Sequence, residues 1–450
     1  MKPKFNDSKL NIDIIKHNLR LMGFKSFNRI CVMDRPDLTN ASNIKAAQKK
    51  NQIIVLLQPK FLFARALGIH VKKKLAPLEC YLSNKSLLPV ARSLRPLENV
   101  KILTCTEAEP VIIDSAGDTL WLWIPNSSGG MLVVGTDLAG DLVRYRQGDP
   151  KLGKIGSNKT YWGIAGERPN YLFEQQIAGL PHSDRQADYW AWVLAEFLSR
   201  VLNDERVSIL PGGAPGAIVL TGDDDQAELE KYNEQRRLIG NLPITWFLHP
   251  KTRHDRNSLN ELTLNKANAD LGLHPDALDD PKNYKSIYED QLNWFENLTQ
   301  EKIVSVRNHG FLNDGYWGHL NSWLKSDVEV SSNIPGFDGC VLTGSLLPAR
   351  VSWKGKLTSH WSLLTAIGDG IIFAGGLSDN AAGNCVLDLA NTIIKSRIPG
   401  VMVLNLHPQN VMQTKQMHKA VHKVVELGFI SWNMNQCLEW FKKLDSEQEF

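Results

Sequence analysis

Three consecutive carboxylates, Asp223, Asp224 and Asp225, follow a short apolar run at 217–220. Gly216 and Gly222 bound the run, which is the pattern of a buried parallel strand. Three acids at one strand end repel one another unless a positive group or a shared proton lies among them. The plain alternative is a solvated acidic turn that opens the next helix. Histidines downstream weigh against it. DLGLHPD puts His274 at the end of a second apolar run, IVSVRNHG puts Arg307 and His309 at a third, and VMVLNLHP puts His407 at a fourth. Carboxylate plus imidazole is the ligand set of a divalent-metal hydrolase, and one Asp with two His can hold Zn2+ while leaving a position open. A cation so held acidifies water and polarises a carbonyl. A second carboxylate and another imidazole can then take and give the protons.

These residues need a scaffold that brings strand ends together. Short apolar runs recur at 217–221, 244–248, 271–274, 303–306, 328–330, 370–374, 401–406 and 428–432. Helix-forming segments such as 226–240 and 285–298 separate them. Strands alternating with helices over about 245 residues predict a β/α barrel. In such barrels reactive groups sit at the C-terminal ends of the strands, where the acids and histidines fall.

The first 205 residues read differently. A helix is expected at 10–22, closed by Gly23, and another at 189–202. Strands are expected at 29–33, 52–58, 100–103, 111–113, 119–124 and 131–134, with turn residues between them. This predicts an α/β layered N-terminal domain of unassigned role over 1–205, and the barrel over 206–450. The segment 211–216, rich in Pro and Gly, reads as the connection. Residues 129–149 offer a glycine-flanked strand followed by Thr136 and Asp137. A tight turn explains that segment better than an anion-binding loop.

The chain has 450 residues, a formal net charge of +3 and a pI near 8.4, too mild to indicate a nucleic-acid partner. No apolar run reaches membrane-spanning length, and the N-terminus lacks a signal-peptide pattern. Six scattered cysteines form no CxxC pair, which suits a cytoplasmic location.

The barrel half resembles the polysaccharide deacetylase (NodB-homology) family, metal-dependent carbohydrate de-N-acetylases. Its short motifs recur in order. Thr221-Gly222-Asp223-Asp224-Asp225 resembles the first motif, T-F-D-D-G, which implies Asp223 as base and Asp224 as metal ligand. ITWFL at 244–248 is similar to the A-T-F-F strand. Leu273-His274-Pro275 resembles the end of the second motif and implies His274 as ligand. Arg307 is similar to the third motif's arginine, which orients the base. LNLHPQ at 404–409 resembles the last motif and implies His407 as acid.

The departures are specific. Gly222 replaces Phe, Asp225 replaces Gly, and position 270, where the second motif has its other histidine, is Asp. The third ligand is therefore expected from His309, with Asp225 and Asp270 as alternatives. The resemblance implies removal of an acetyl group from an N-acetylated sugar of polysaccharide biosynthesis, with Zn2+ as the expected metal. The other reading is a non-catalytic glycan-binding or scaffold protein on a degenerate barrel. A glycosidase is disfavoured, because the strand ends carry histidines rather than paired acids.

Overall fold

The computed structural model describes residues 7–89, 92–127, 129–154, 169–173, 184–263, 268–313, 315–336 and 343–446. Its N-terminal half begins with helix Ser8–Leu21, capped by the Asp7 carboxylate. The strands are β1 (Ile30–Asp34), β2 (Ile53–Leu57), β3 (His70–Lys74), β4 (Cys80–Leu82), β5 (Val100–Thr104), β6 (Glu109–Asp114), β7 (Thr119–Ile124) and β8 (Met131–Val134). Six of them form one sheet in the order β1-β2-β8-β7-β6-β4, parallel from β1 to β8 and antiparallel beyond. β3 and β5 pair separately. Helices Leu138–Gln147 and Gln186–Leu202 complete this half, which is α/β and layered.

The second half holds β9 (Gly216–Asp224), β10 (Ile244–Leu248), β11 (Ala269–Leu273), β12 (Ser305–Val306), β13 (Val330–Pro335), β14 (Ala349–Trp353), β15 (Lys356–Gly368), β16 (Gly400–Asn405) and β17 (Ile430–Trp432). Seven parallel strands close a ring, β9-β10-β11-β12-β13-β15-β16 and back to β9. β17 pairs with the lower part of β9, at Ala217–Val219, below the stretch of β9 that pairs with β10. The expected β/α barrel is therefore present and closed.

Period-two alternation sorts the barrel side chains. Ala217, Val219, Phe247, Val401 and Val403 share one core that also takes in the N-terminal helices and the C-terminal helix Met434–Ser446. Ile218, Leu220, Trp246, Met402 and Leu404 face the other way, into a core with helices Leu229–Ile239, Asp379–Ser396 and Lys415–Glu426. The two sheets share no strand among the described residues, yet the first core runs through both halves.

One sequence expectation needs correction, and one hairpin was not read. Residues 370–373 are a helix, not a strand. A five-residue apolar run cannot separate the two by periodicity, and the strand of that repeat is β15, one element earlier. β14 and β15 form a hairpin whose two-residue turn is Lys354 and Gly355, both with positive φ (48° and 79°). That is the twist a tight hairpin requires. Lys in place of the usual Asn or Asp hid the signal. Among the described residues no helix is long and apolar enough to cross a membrane.

Candidate active site

Every group of interest lies at the C-terminal end of a barrel strand. Asp223 is the next-to-last residue of β9 and points inward, as its odd-numbered neighbours in that strand do. Its Oδ1 accepts from Arg307 Nη1 at 2.8 Å, and its Oδ2 accepts from Asn405 Nδ2 at 2.7 Å. Arg307 is fully buried. It also donates to Ser332 O, Thr221 Oγ1 and Thr365 Oγ1, and lies 4.5 Å from the centre of the Phe247 ring. Burial alone would raise the Asp223 pKa. Arg307, with His274 and His407, outweighs it and holds the carboxyl well below the usual range.

The three histidines turn Nε2 to a common point, and in two of them Nδ1 is held by a hydrogen bond. His274 Nδ1 donates to Arg307 O at 2.7 Å. His407 Nδ1 donates to Asp369 Oδ1 at 2.6 Å. His309 Nδ1 lies 3.3 Å from Asp276 Oδ1, too bent for a full hydrogen bond. The facing nitrogens converge on Asp225. His274 Nε2 and His309 Nε2 each stand 3.7 Å from Asp225 Oδ1, and His407 Nε2 stands 3.6 Å from Asp225 Oδ2. Asp223 Oδ2 completes the circle, 3.8 Å from His274 Nε2 and 3.7 Å from His407 Nε2.

Protonation separates these imidazoles. Burial pulls His274 down to about 4, so it is neutral near pH 7. Burial also opposes charge on His407, but Asp369, with Asp225 and Asp223, overcomes it and pushes that group up to about 10. The site thus pairs a neutral His274 with a charged His407.

Asp225, His274 and His309 can hold a cation. Asp225 Oδ1 is buried without a hydrogen-bond partner, an unmet acceptor of the kind a cation would satisfy. An ion with ligands at ~2.0–2.1 Å in tetrahedral array sets them roughly 3.3 Å apart, near the observed 3.7 Å. Two imidazoles and a carboxylate are a donor set suited to Zn2+.

The expected ligand Asp224 lies elsewhere. It is fully buried and faces outward, beside Tyr232, Thr252 and His254, and its Oδ1 accepts from the Ala227 amide. Strand alternation is the reason, since adjacent residues of β9 face opposite sides of the wall. Asp225, just past the strand, returns to the inner side. Asp270 is also remote: it accepts from the Asn435 amide, and burial raises its pKa to about 7. The structure therefore gathers Asp223, Asp225, His274, Arg307, His309 and His407 and leaves Asp224 and Asp270 outside.

Three members were not read from the sequence, His249, Asp369 and Asn405, and Asp276 stood at the end of the DLGLHPD run without a role. A signal existed for the first. His249-Pro250, His274-Pro275 and His407-Pro408 each follow a barrel strand. A residue before proline is held extended, which keeps each histidine in line with its strand. Asp369 directly follows β15 and was lost with that strand. Gly222, the departure at the Phe position, has a packing cause. A Cβ there would meet Leu406 O at 2.7 Å, with Trp246 and Pro408 close behind.

The N-terminal half supports the loop that carries His309. Gly310, Phe311, Gly315 and Trp317 in that loop all have positive φ, a conformation that costs energy at Phe and Trp and needs outside support. Trp317 Nε1 donates to Gln147 O at 2.9 Å. Gln147 in turn bonds Ser352 through both ends of its amide.

No protein-family profile and no curated protein matches the chain. Solved structures do. A protein described as a polysaccharide deacetylase from Mycobacterium smegmatis is similar at 15% identity, over 52% of this chain and 93% of its own, with a TM-score of 0.42. The peptidoglycan deacetylase PdaC from Bacillus subtilis is similar at 12% identity, over 52% and 95%, with a TM-score of 0.33. A CE4-family pseudoenzyme from Bacillus anthracis is similar at 12% identity, over 49% and 65%, with a TM-score of 0.31. These likenesses cover about half of the chain. They include deacetylases and a pseudoenzyme alike.

Proposed function

We propose that this chain is a metal-dependent hydrolase that removes an N-acetyl group from an amino sugar, in a glycan or glycan precursor of polysaccharide biosynthesis. The observation that carries the reading is the convergence of an Arg-held carboxylate, a carboxylate-backed histidine and an Asp-His-His donor set at one barrel mouth. The order of motifs along the chain adds the substrate class.

In this reading Asp225, His274 and His309 hold a divalent cation. A carboxylate held as acidic as Asp223 is a weak base, and the bound cation would supply the missing drive by acidifying water and polarising the acyl oxygen. Asp223 takes a proton from the attacking water, with Arg307 and Asn405 fixing its carboxylate. His407, charged near neutral pH, gives its Nε2 proton to the departing amine while Asp369 steadies the ring. The new C–O bond forms first by addition of the water oxygen to the acyl carbon. The C–N bond then breaks as the nitrogen takes the His407 proton, and acetate and a free amino sugar leave.

The two neighbouring acids test the ligand set. Asp225→Asn replaces an anionic donor by a neutral amide and is expected to lower Zn2+ affinity at least tenfold. Asp224→Asn is expected to keep both affinity and turnover within a few-fold, because burial already raises the Asp224 pKa. Equilibrium Zn2+ titration of both variants checks this. Loss of metal in Asp224→Asn with retention in Asp225→Asn would reverse the assignment.

A further inference from the structure

Beyond His309, on the side away from Asp225, lie two groups that the proposed reaction leaves unused. His249 follows β10 and is 3% exposed, and Asp276 lies two residues past His274. Asp276 reaches both histidines, with Oδ2 3.1 Å from His249 Nε2 and Oδ1 3.3 Å from His309 Nδ1. Its position is fixed from outside. The Asp276 amide donates to Gln291 Oε1 and its carbonyl accepts from Gln291 Nε2, both at 2.8 Å. The Leu278 amide donates to Asp276 Oδ1 at 3.1 Å.

The His249 tautomer follows from its partners. His249 Nδ1 accepts from the Lys251 amide at 3.1 Å, so the proton of a neutral His249 is on Nε2 and is donated to Asp276. For His309, Asp276 Oδ1 is an acceptor within reach of Nδ1, while Nε2 faces Asp225. The His309 backbone is tied to the same segment, with its amide donating to Pro275 O at 2.8 Å. The His249 ring packs edge-on against His309 with centres 5.0 Å apart. An imidazole can present one lone pair only when its other nitrogen carries the proton, and the partner of that nitrogen decides which.

We infer that Asp276 is a positioning residue that holds His309 in the Nδ1–H tautomer, with its Nε2 lone pair toward Asp225 and His274, and that His249 braces Asp276 from its second oxygen. The competing use of the same atoms is a second cation held by His249, Asp276 and His309, which are close enough for it. The tautomer part stands without any metal. The affinity part rests on the cation site of the proposed function.

The experiment begins with imidazole-nitrogen NMR of the full chain, without metal and on the alkaline side of the His309 titration. His309 is expected as Nδ1–H and His249 as Nε2–H, and in Asp276→Ala the His309 preference should be lost. His309 found as Nε2–H in the unmutated protein overturns the inference, whether or not any variant folds. Zn2+ titration follows. One ion per chain is expected, with affinity reduced about 10–100-fold in Asp276→Ala, the range for lost outer partners of a ligand. Asp276→Asn should recover much of it, since its amide oxygen still accepts from Nδ1–H. Two ions per chain, or unchanged affinity in Asp276→Ala, overturns the positioning role. If the unmutated chain binds no Zn2+, the proposed function fails and the tautomer result alone decides this inference.

Discussion

Asp223→Asn is expected to lose on the order of 10²–10⁴ in turnover, the range for loss of a general base, while Zn2+ binding and substrate affinity stay within a few-fold. The variant should fold, because the amide can still accept from Arg307. Its new N–H group would face Asn405 Nδ2, but Asn405 Oδ1 is buried without a partner, and rotation of that amide turns a clash into a hydrogen bond. Acetate release and metal content measured on one preparation separate base from ligand. Full activity in this variant would remove Asp223 from the mechanism.

Arg307→Met is expected to lower stability by about 3–5 kcal/mol at neutral pH, the cost of leaving a buried charge without its partner. Arg307 supplies the hydrogen bond to Asp223 Oδ1, the side chain of Asp223 is 4% exposed, and Met fills the space over Phe247 without supplying charge. The sign with pH is fixed. In the unmutated protein the Asp223 pKa is held below its unfolded value, so its contribution is present above about pH 4 and fades as acid is added. In the variant only His274 and His407 still oppose burial, so that pKa rises from its value in the unmutated protein. The deficit should therefore be smallest in acid and grow as pH rises through about 4. Denaturant unfolding at several pH values checks this, and adding Asp223→Asn to Arg307→Met should restore part of the loss. A deficit that does not change with pH would mean that the packing of Arg307, rather than its charge, is what the barrel needs.

The barrel was legible because its strands are apolar runs that end in polar, reactive residues, and a closed parallel sheet buries both faces of each strand. β10 and β16 were readable nearly to the residue, and β9 to within three residues at its C-terminal end. β15 was not, since LTSHWSLLTAIG mixes polar and apolar positions and its hairpin turn carries Lys354 rather than a usual turn residue. Asp369, the partner of His407, disappeared with it. The choice between Asp224 and Asp225 was present as simple alternation along β9, but motif likeness favoured the neighbour. His249 was marked by a third His-Pro pair. The presence of Asp276 beside His274 was legible, but its role and Asn405 were not, because they depend on which strand ends the closed ring brings face to face.

The most direct measurement is acetate release from N-acetylhexosamine conjugates by the unmutated chain, before and after removal of divalent metal. The expected result is release that stops on chelation and returns with added Zn2+. No release from any such conjugate by folded, Zn2+-loaded protein would contradict the hydrolase and favour a glycan-binding role for the same barrel mouth.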